Sequence, residues 1–162
     1  MLSNLTIYQI VDFLSNVEGF CELNQNDLVT LVAPLVGIES FERDQLLIQY
    51  GSIGTMMFVV YEGQARVDVP DEEGAILSFP CAVGSLCGEM SLVSNKPRMA
   101  NVVAETRVVA LTLDIESFRM LMTVDWKITR AFAGLIGRRL SRVADKTKGF
   151  VGRSVLRVKC SN

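Results

Sequence analysis

Val83-Gly-Ser-Leu-Cys-Gly-Glu-Met-Ser-Leu-Val-Ser-Asn-Lys-Pro-Arg-Met-Ala-Asn-Val-Val103 sits inside a run of short strands and does not itself read as one. Gly84 and Gly88 break any extended run. Glu89 to Val93 has the look of a single helical turn, and its first N–H groups, free behind Gly88, attract an anion. Ten residues after Gly88 comes Arg98, fixed behind Pro97. Arginine offers a planar fork of donors that suits phosphate. Glu89 is an acceptor that suits a sugar hydroxyl. The plainer alternative is a surface ion pair between Glu89 and Arg98, worth about 0–1 kcal/mol.

On either side the pattern is β. Ile38 to Phe41 and Leu46 to Ile48 flank a turn at Glu42 to Asp44. Gly51 to Gly54 turns again, Met57 to Tyr61 is a buried strand, and Glu62-Gly63 is a hairpin signal. Ala65, Val67 and Val69 alternate with polar residues, and an acidic turn at Pro70 to Gly74 leads into Ala75 to Phe79. Val102 to Ala104 and Val108 to Leu113 close the series. Many short strands separated by turns predict a sandwich or barrel.

The ends are helical. Residues 5–14 carry a broad apolar face, with Asn4 or Ser3 as cap. Leu28, Leu31, Val32 and Leu35 mark one face of a second helix behind Asn24 or Asn26, ended by Pro34 and Gly37. Asp114 caps Ile115 to Met122, and a long helix starts near Asp125 with a stripe at Phe132, Ile136, Leu140 and Val143. Helices around one β block predict a single mixed α+β domain, in keeping with 162 residues.

The chain contains no histidine. Histidine-dependent nucleophile systems and histidine-containing zinc or iron sites are therefore excluded. Cys21, Cys81, Cys87 and Cys160 form no C-x-x-C pair and read as free thiols in a reducing compartment. Nothing resembles a signal peptide, and no stretch of 18 apolar residues occurs, so a soluble, cytoplasmic chain is expected. The net charge of −2 conceals a division. Residues 1–126 carry 6 basic and 17 acidic side chains, whereas residues 127–162 carry 10 and one. The basic end either meets an acidic or phosphate-rich partner, neutralises the chain's own acidic body, or is simply solvated.

Gly88-Glu89-Met90-Ser91-Leu92 followed by Pro97-Arg98-Met99-Ala100 resembles the phosphate-binding cassette of the cyclic nucleotide-binding domain family. Phe41, Gly51, Phe58 and Gly63 also match the family's strand and turn spacing, so the resemblance covers about residues 12–145. It implies an antiparallel β jelly-roll barrel with N-terminal helices and a long C-terminal helix. It implies that Glu89 accepts the ribose 2′-hydroxyl and Arg98 pairs with the cyclic phosphate. Backbone amides near Gly88, Met99 and Ala100 complete the cradle, and Met90 and Ser91 belong to it. The C-terminal helix would close over the base, with Phe132, Leu135 and Ile136 as candidate lid residues.

Four residues depart from the family pattern. Met99 stands where a small or hydroxyl residue is frequent, which leans toward cyclic AMP over cyclic GMP. Asp44 and Ser52 replace a turn glycine and a turn aspartate, and aspartate tolerates the left-handed conformation. Cys87 replaces a frequent aromatic.

The expectation is a ligand-binding module and not an enzyme, with no cofactor and no metal. Residues 1–148 form the domain, with the barrel at 38–113 and the lid helix at about 125–148. A short basic tail follows at 149–162. Its partners are the cyclic nucleotide and, through the C-terminal helix, a second copy or an effector protein. Residues 146–162 are too few for a helix-turn-helix, which argues against nucleic acid. The alternative is a degenerate member that serves as an interaction module without nucleotide.

Overall fold

The computed structural model describes residues 5–71 and 73–147, with residues 142–147 described by backbone alone. The basic tail expected at 149–162 lies outside the described residues, and the stripe position Val143 is described by backbone alone.

Helix α1 spans Ile7–Leu14 and buries Ile10, Val11 and Leu14. Its cap is Thr6, not Ser3 or Asn4. The Thr6 hydroxyl accepts from the Gln9 N–H while the Gln9 side chain accepts from the Thr6 N–H, so two orphan donors are satisfied reciprocally. Helix α2, Gln25–Asp27, is capped by Asn24, one of the two candidates in the sequence. It continues as a π turn, Leu28–Val32, and a 3₁₀ turn, Ala33–Leu35. Pro34 has no N–H to sustain the α ladder, so the register changes there. The buried set becomes Leu28, Val32 and Ala33, with Leu31 and Leu35 only half-buried.

Eight strands follow: β1 Gly37–Phe41, β2 Leu46–Ile48, β3 Met56–Glu62, β4 Ala65–Pro70, β5 Ile76–Cys81, β6 Leu86–Cys87, β7 Asn101–Ala104 and β8 Val108–Asp114. They form two four-stranded antiparallel sheets, ordered β1-β8-β3-β6 and β2-β7-β4-β5. The sheets face each other as a jelly roll and do not join into a closed barrel. Asp44 takes a φ of 69°, the left-handed turn that the sequence allows it.

The alternation along β3 explains its unbroken apolar run. Met57 and Val59 face a core shared with the helices, whereas Phe58 and Val60 face a second core between the sheets. Leu111 and Leu113 divide from Val108 and Ala110 in the same way on β8. A strand buried on both faces needs no polar alternation.

Between β6 and β7 lies α3, Glu89–Ser94. After β8 comes α4, Ile115–Val124, whose cap Asp114 accepts from the Ser117 N–H at 2.8 Å. That bond holds the Asp114 carboxyl below the usual carboxylate range. Asp114→Ala is therefore expected to cost about 1 kcal/mol of stability, read from the urea midpoint at neutral pH. The carboxylate must be ionised to act, so the cost should disappear as pH falls through its depressed pKa.

Helix α5 spans Trp126–Thr147. Its buried face is Ile128, Ala131, Phe132 and Leu135, which corrects the stripe read from the sequence. Phe132 is held edge-on between Phe20 and Phe118, each at 5.2 Å between ring centres. Leu140 is exposed and Ile136 half-buried; among the described side chains of α5, those in the helical core end at Leu135. No helix among the described residues is long and apolar enough to cross a membrane.

Candidate functional site: a two-arginine cavity between the sheets

Gly88 has a φ of 91°, a left-handed conformation that ends β6 and turns the chain into α3. An L side chain is strained there, so glycine sets the direction in which Glu89 leaves the strand. Asn95, also left-handed with φ 56°, closes α3. Past Pro97 the chain is fastened to the turn before β3. The Arg98 N–H donates to the Ser52 carbonyl at 2.9 Å, and the Gly51 N–H donates to the Arg98 carbonyl at 2.8 Å.

These fasteners place the Arg98 side chain inside the molecule, 5% exposed. Its guanidinium donates to the Gly88 carbonyl at 2.5 Å and to the Met56 carbonyl. It lies so close over Gly54 that a Cβ there would meet its Nε at 1.9 Å. Gly54 thus has a function that its reading as a turn glycine did not show. Burial lowers the Arg98 pKa from its ordinary value, and the side chain remains a cation.

Glu89 is fully buried. It does not pair with Arg98. Its Oε1 accepts from Arg139 of α5, which also donates to the Leu86 carbonyl at 2.8 Å. Glu89 Oε2 and Arg139 Nε are buried without a partner. Burial pushes the Glu89 carboxyl up from its ordinary value, and the Arg139 cation pulls it back in part. The surface ion pair considered from the sequence is therefore absent: both residues are interior and point to different partners. Arg139 was missed. It lies 50 residues from Glu89, and its only signal in the sequence is the excess of basic residues over 127–162.

A cavity of about 170 Å³ opens between the sheets, and Gly88, Glu89, Met90, Ser91, Arg98, Met99 and Ala100 all line it. Met99 is 58% exposed, so its bulk stands at the rim. Arg139 is the contribution of α5 to the lining, whereas Phe132 and Leu135 are buried in the helical core. Two guanidiniums against one carboxylate leave the lining with one uncompensated positive charge. Among the described residues no group of three metal-ligating side chains occurs.

A family model, the cyclic nucleotide-binding domain, matches residues 38–125. The chain belongs to the cyclic nucleotide-binding domain family. A cAMP-dependent protein kinase regulatory subunit of Candida albicans is 32% identical over 124 residues, covering 75% of this chain and 26% of that protein. A cGMP-dependent protein kinase of Caenorhabditis briggsae is 31% identical over 117 residues, covering 70% of this chain and 16% of that one. Among solved structures, the regulatory subunit of a cAMP-independent protein kinase A from Trypanosoma brucei superposes with a TM-score of 0.71 at 25% identity. That match covers 84% of this cyclic nucleotide-binding domain chain and 47% of the trypanosome chain. The chain thus spans between about a sixth and a half of the length of these relatives.

Proposed function

We propose that the chain, through a domain of residues 1–148, binds a cyclic nucleotide in this cavity, cyclic AMP in preference to cyclic GMP. The observation that carries the reading is the paired burial of Arg98 and Glu89 in one cavity with polar capacity unspent. Arg98 is held by two backbone carbonyls and no carboxylate. Glu89 keeps one oxygen without a partner. A cyclic phosphodiester carries one negative charge, which matches the single excess positive charge of the lining, and its ribose hydroxyl offers the donor that Glu89 Oε2 lacks. Met99 offers no hydroxyl to a guanine, which is the basis of the preference.

The cavity is smaller than the roughly 300 Å³ at which small-molecule sites begin. Arg139 takes up the Glu89 end of it. Its neighbour Arg138 reaches the other way, to Glu18 at 3.0 Å and Glu22 at 3.9 Å. Helix α5 is thereby tied to the N-terminal segment by one arginine and to the cassette by the next. A ligand that competes for Glu89 changes one tie and leaves the other, which biases the position of α5. That helix is the proposed relay to a second copy or an effector protein. The pairs of Arg138 and Arg139 support the reading in which the basic end neutralises acidic residues of its own chain.

Equilibrium dialysis of labelled cyclic AMP against unlabelled cyclic AMP, cyclic GMP and 5′-AMP tests the reading. Cyclic AMP should compete best, and 5′-AMP, with its extra charge, worst. Equal competition by all three would remove the phosphate assignment. No retention of label would favour the second reading, an interaction module in which the Arg139–Glu89 pair stands permanently in the ligand's place.

A further inference from the structure

Cys81 and Cys87 stand in the wall of the same cavity and play no part in the binding scheme above. Cys81 ends β5 opposite Ala65 of β4, and Cys87 ends β6 opposite Phe58 of β3. The two strands belong to different sheets. Both thiols are free and buried in the core between the sheets. Both line that one cavity together with Ser85, which lies between them in the chain. The free-thiol expectation holds at these two; Cys21 is not among the free thiols, and Cys160 lies outside the described residues.

We propose that Cys81 and Cys87 are a redox modification site: a small hydroperoxide entering the cavity oxidises the pair to an intrachain disulfide that ties the two sheets together. Cys81 is the attacking sulfur. Its thiol lies below the ordinary cysteine range because the Cys87 S–H bonds to it, with Ser85 and the Arg139 cation adding to the effect. Cys87 is pushed up by the same bond and by burial, so it keeps its proton. The Cys81 thiolate attacks one peroxide oxygen and the O–O bond breaks. Cys81 becomes a sulfenic acid, and the departing oxygen takes a proton and leaves as water. The Cys87 sulfur then attacks the Cys81 sulfur, the S–S bond forms, and the S–O bond breaks. The second water leaves with the Cys87 proton. Two thiols and one hydrogen peroxide give one disulfide and two waters.

The bond closes a ring of only five intervening residues, which includes Gly84 at φ 83°. Glycines within and just after the ring give the backbone room to draw Cys87 toward β5. That movement shifts Gly88, whose carbonyl holds Arg98, and Glu89 behind it. Loss of nucleotide binding on oxidation follows from this, and that consequence rests on the function proposed above.

The full purified chain should be treated with hydrogen peroxide, its remaining thiols alkylated, and the product digested with chymotrypsin without reduction. Cleavage after Leu86 separates the two cysteines, so their peptides stay joined only by this disulfide. Joined peptides that part on addition of dithiothreitol are expected. In Cys87→Ser, a sulfenic acid trapped by dimedone on Cys81 should replace them. Wild-type peptides that remain separate and fully alkylated would overturn the proposal. Cyclic AMP titrations before and after peroxide form the second arm. Wild-type affinity should fall by roughly tenfold or more and return with dithiothreitol. Unchanged affinity in protein that carries the joined peptides would overturn the effect on the pocket. Absence of binding by the untreated, reduced protein would instead count against the nucleotide reading, while the peptides still decide the redox site.

Discussion

Arg98→Ala is expected to weaken cyclic nucleotide binding by about 1.5–3 kcal/mol, a factor of roughly ten to a hundred. The side chain is 5% exposed and is the cation that no carboxylate neutralises. A phosphodiester that enters the cavity has this guanidinium to meet at the cassette, and a charge-assisted bond in so dry a place is worth more than one at the surface. The substitution also strands the Gly88 and Met56 carbonyls, which would lower stability. Arg98→Lys separates the two effects. It keeps the charge but loses the planar fork, so its affinity should fall between wild type and alanine. Calorimetric titration, with a urea melt to confirm folding, reads both. Equal affinity in all three proteins would move the phosphate elsewhere.

Removing Arg139 should cost more in stability than in binding. Arg139→Ala leaves Glu89, fully buried, without its counter-charge. Breaking a buried pair from one side costs on the order of 3–5 kcal/mol, and the partial exposure of Arg139 places this case near the lower end. The pH dependence identifies the cause. Burial already raises the Glu89 pKa, and loss of the cation raises it further. An acid whose folded pKa exceeds its unfolded value binds more protons when folded, so stability falls as pH rises between the two values. The deficit of Arg139→Ala should therefore be smaller near pH 5 than near pH 8. Glu89→Gln in the Arg139→Ala background should restore much of the loss. A deficit that does not change with pH would mean that lost packing, and not a stranded carboxylate, is responsible.

How far the sequence could be read depended on the range of the interactions. Strand β4 was legible by its local alternation, β3 and β8 as short apolar runs between turn signals, and the cassette because its glycine, glutamate, proline and arginine keep a fixed short spacing. Asp114 and Asn24 were legible as caps because a cap bonds within three residues. Thr6 was passed over because Ser3 and Asn4 offered the same chemistry, and only the Thr6–Gln9 reciprocity distinguishes it. The stripe on α5 was misplaced because 128-131-132-135 and 132-136-140-143 are both helical faces. What buries the first is Phe20 and Phe118 on other segments. Gly54 and Arg139 were beyond local reading altogether. Each matters through a side chain more than 40 residues away in the chain, and periodicity carries no information on that scale. The absence of histidine fits a pocket whose chemistry rests on two arginines and a glutamate.

The central claim is that the cavity takes a cyclic nucleotide, and isothermal calorimetry of the purified chain with cyclic AMP tests it most directly. A saturating isotherm with one nucleotide per chain is predicted, with cyclic GMP weaker and Arg98→Ala shifted by the factor given above. Flat titrations with both nucleotides at high micromolar concentration, from protein that melts cooperatively, would contradict it.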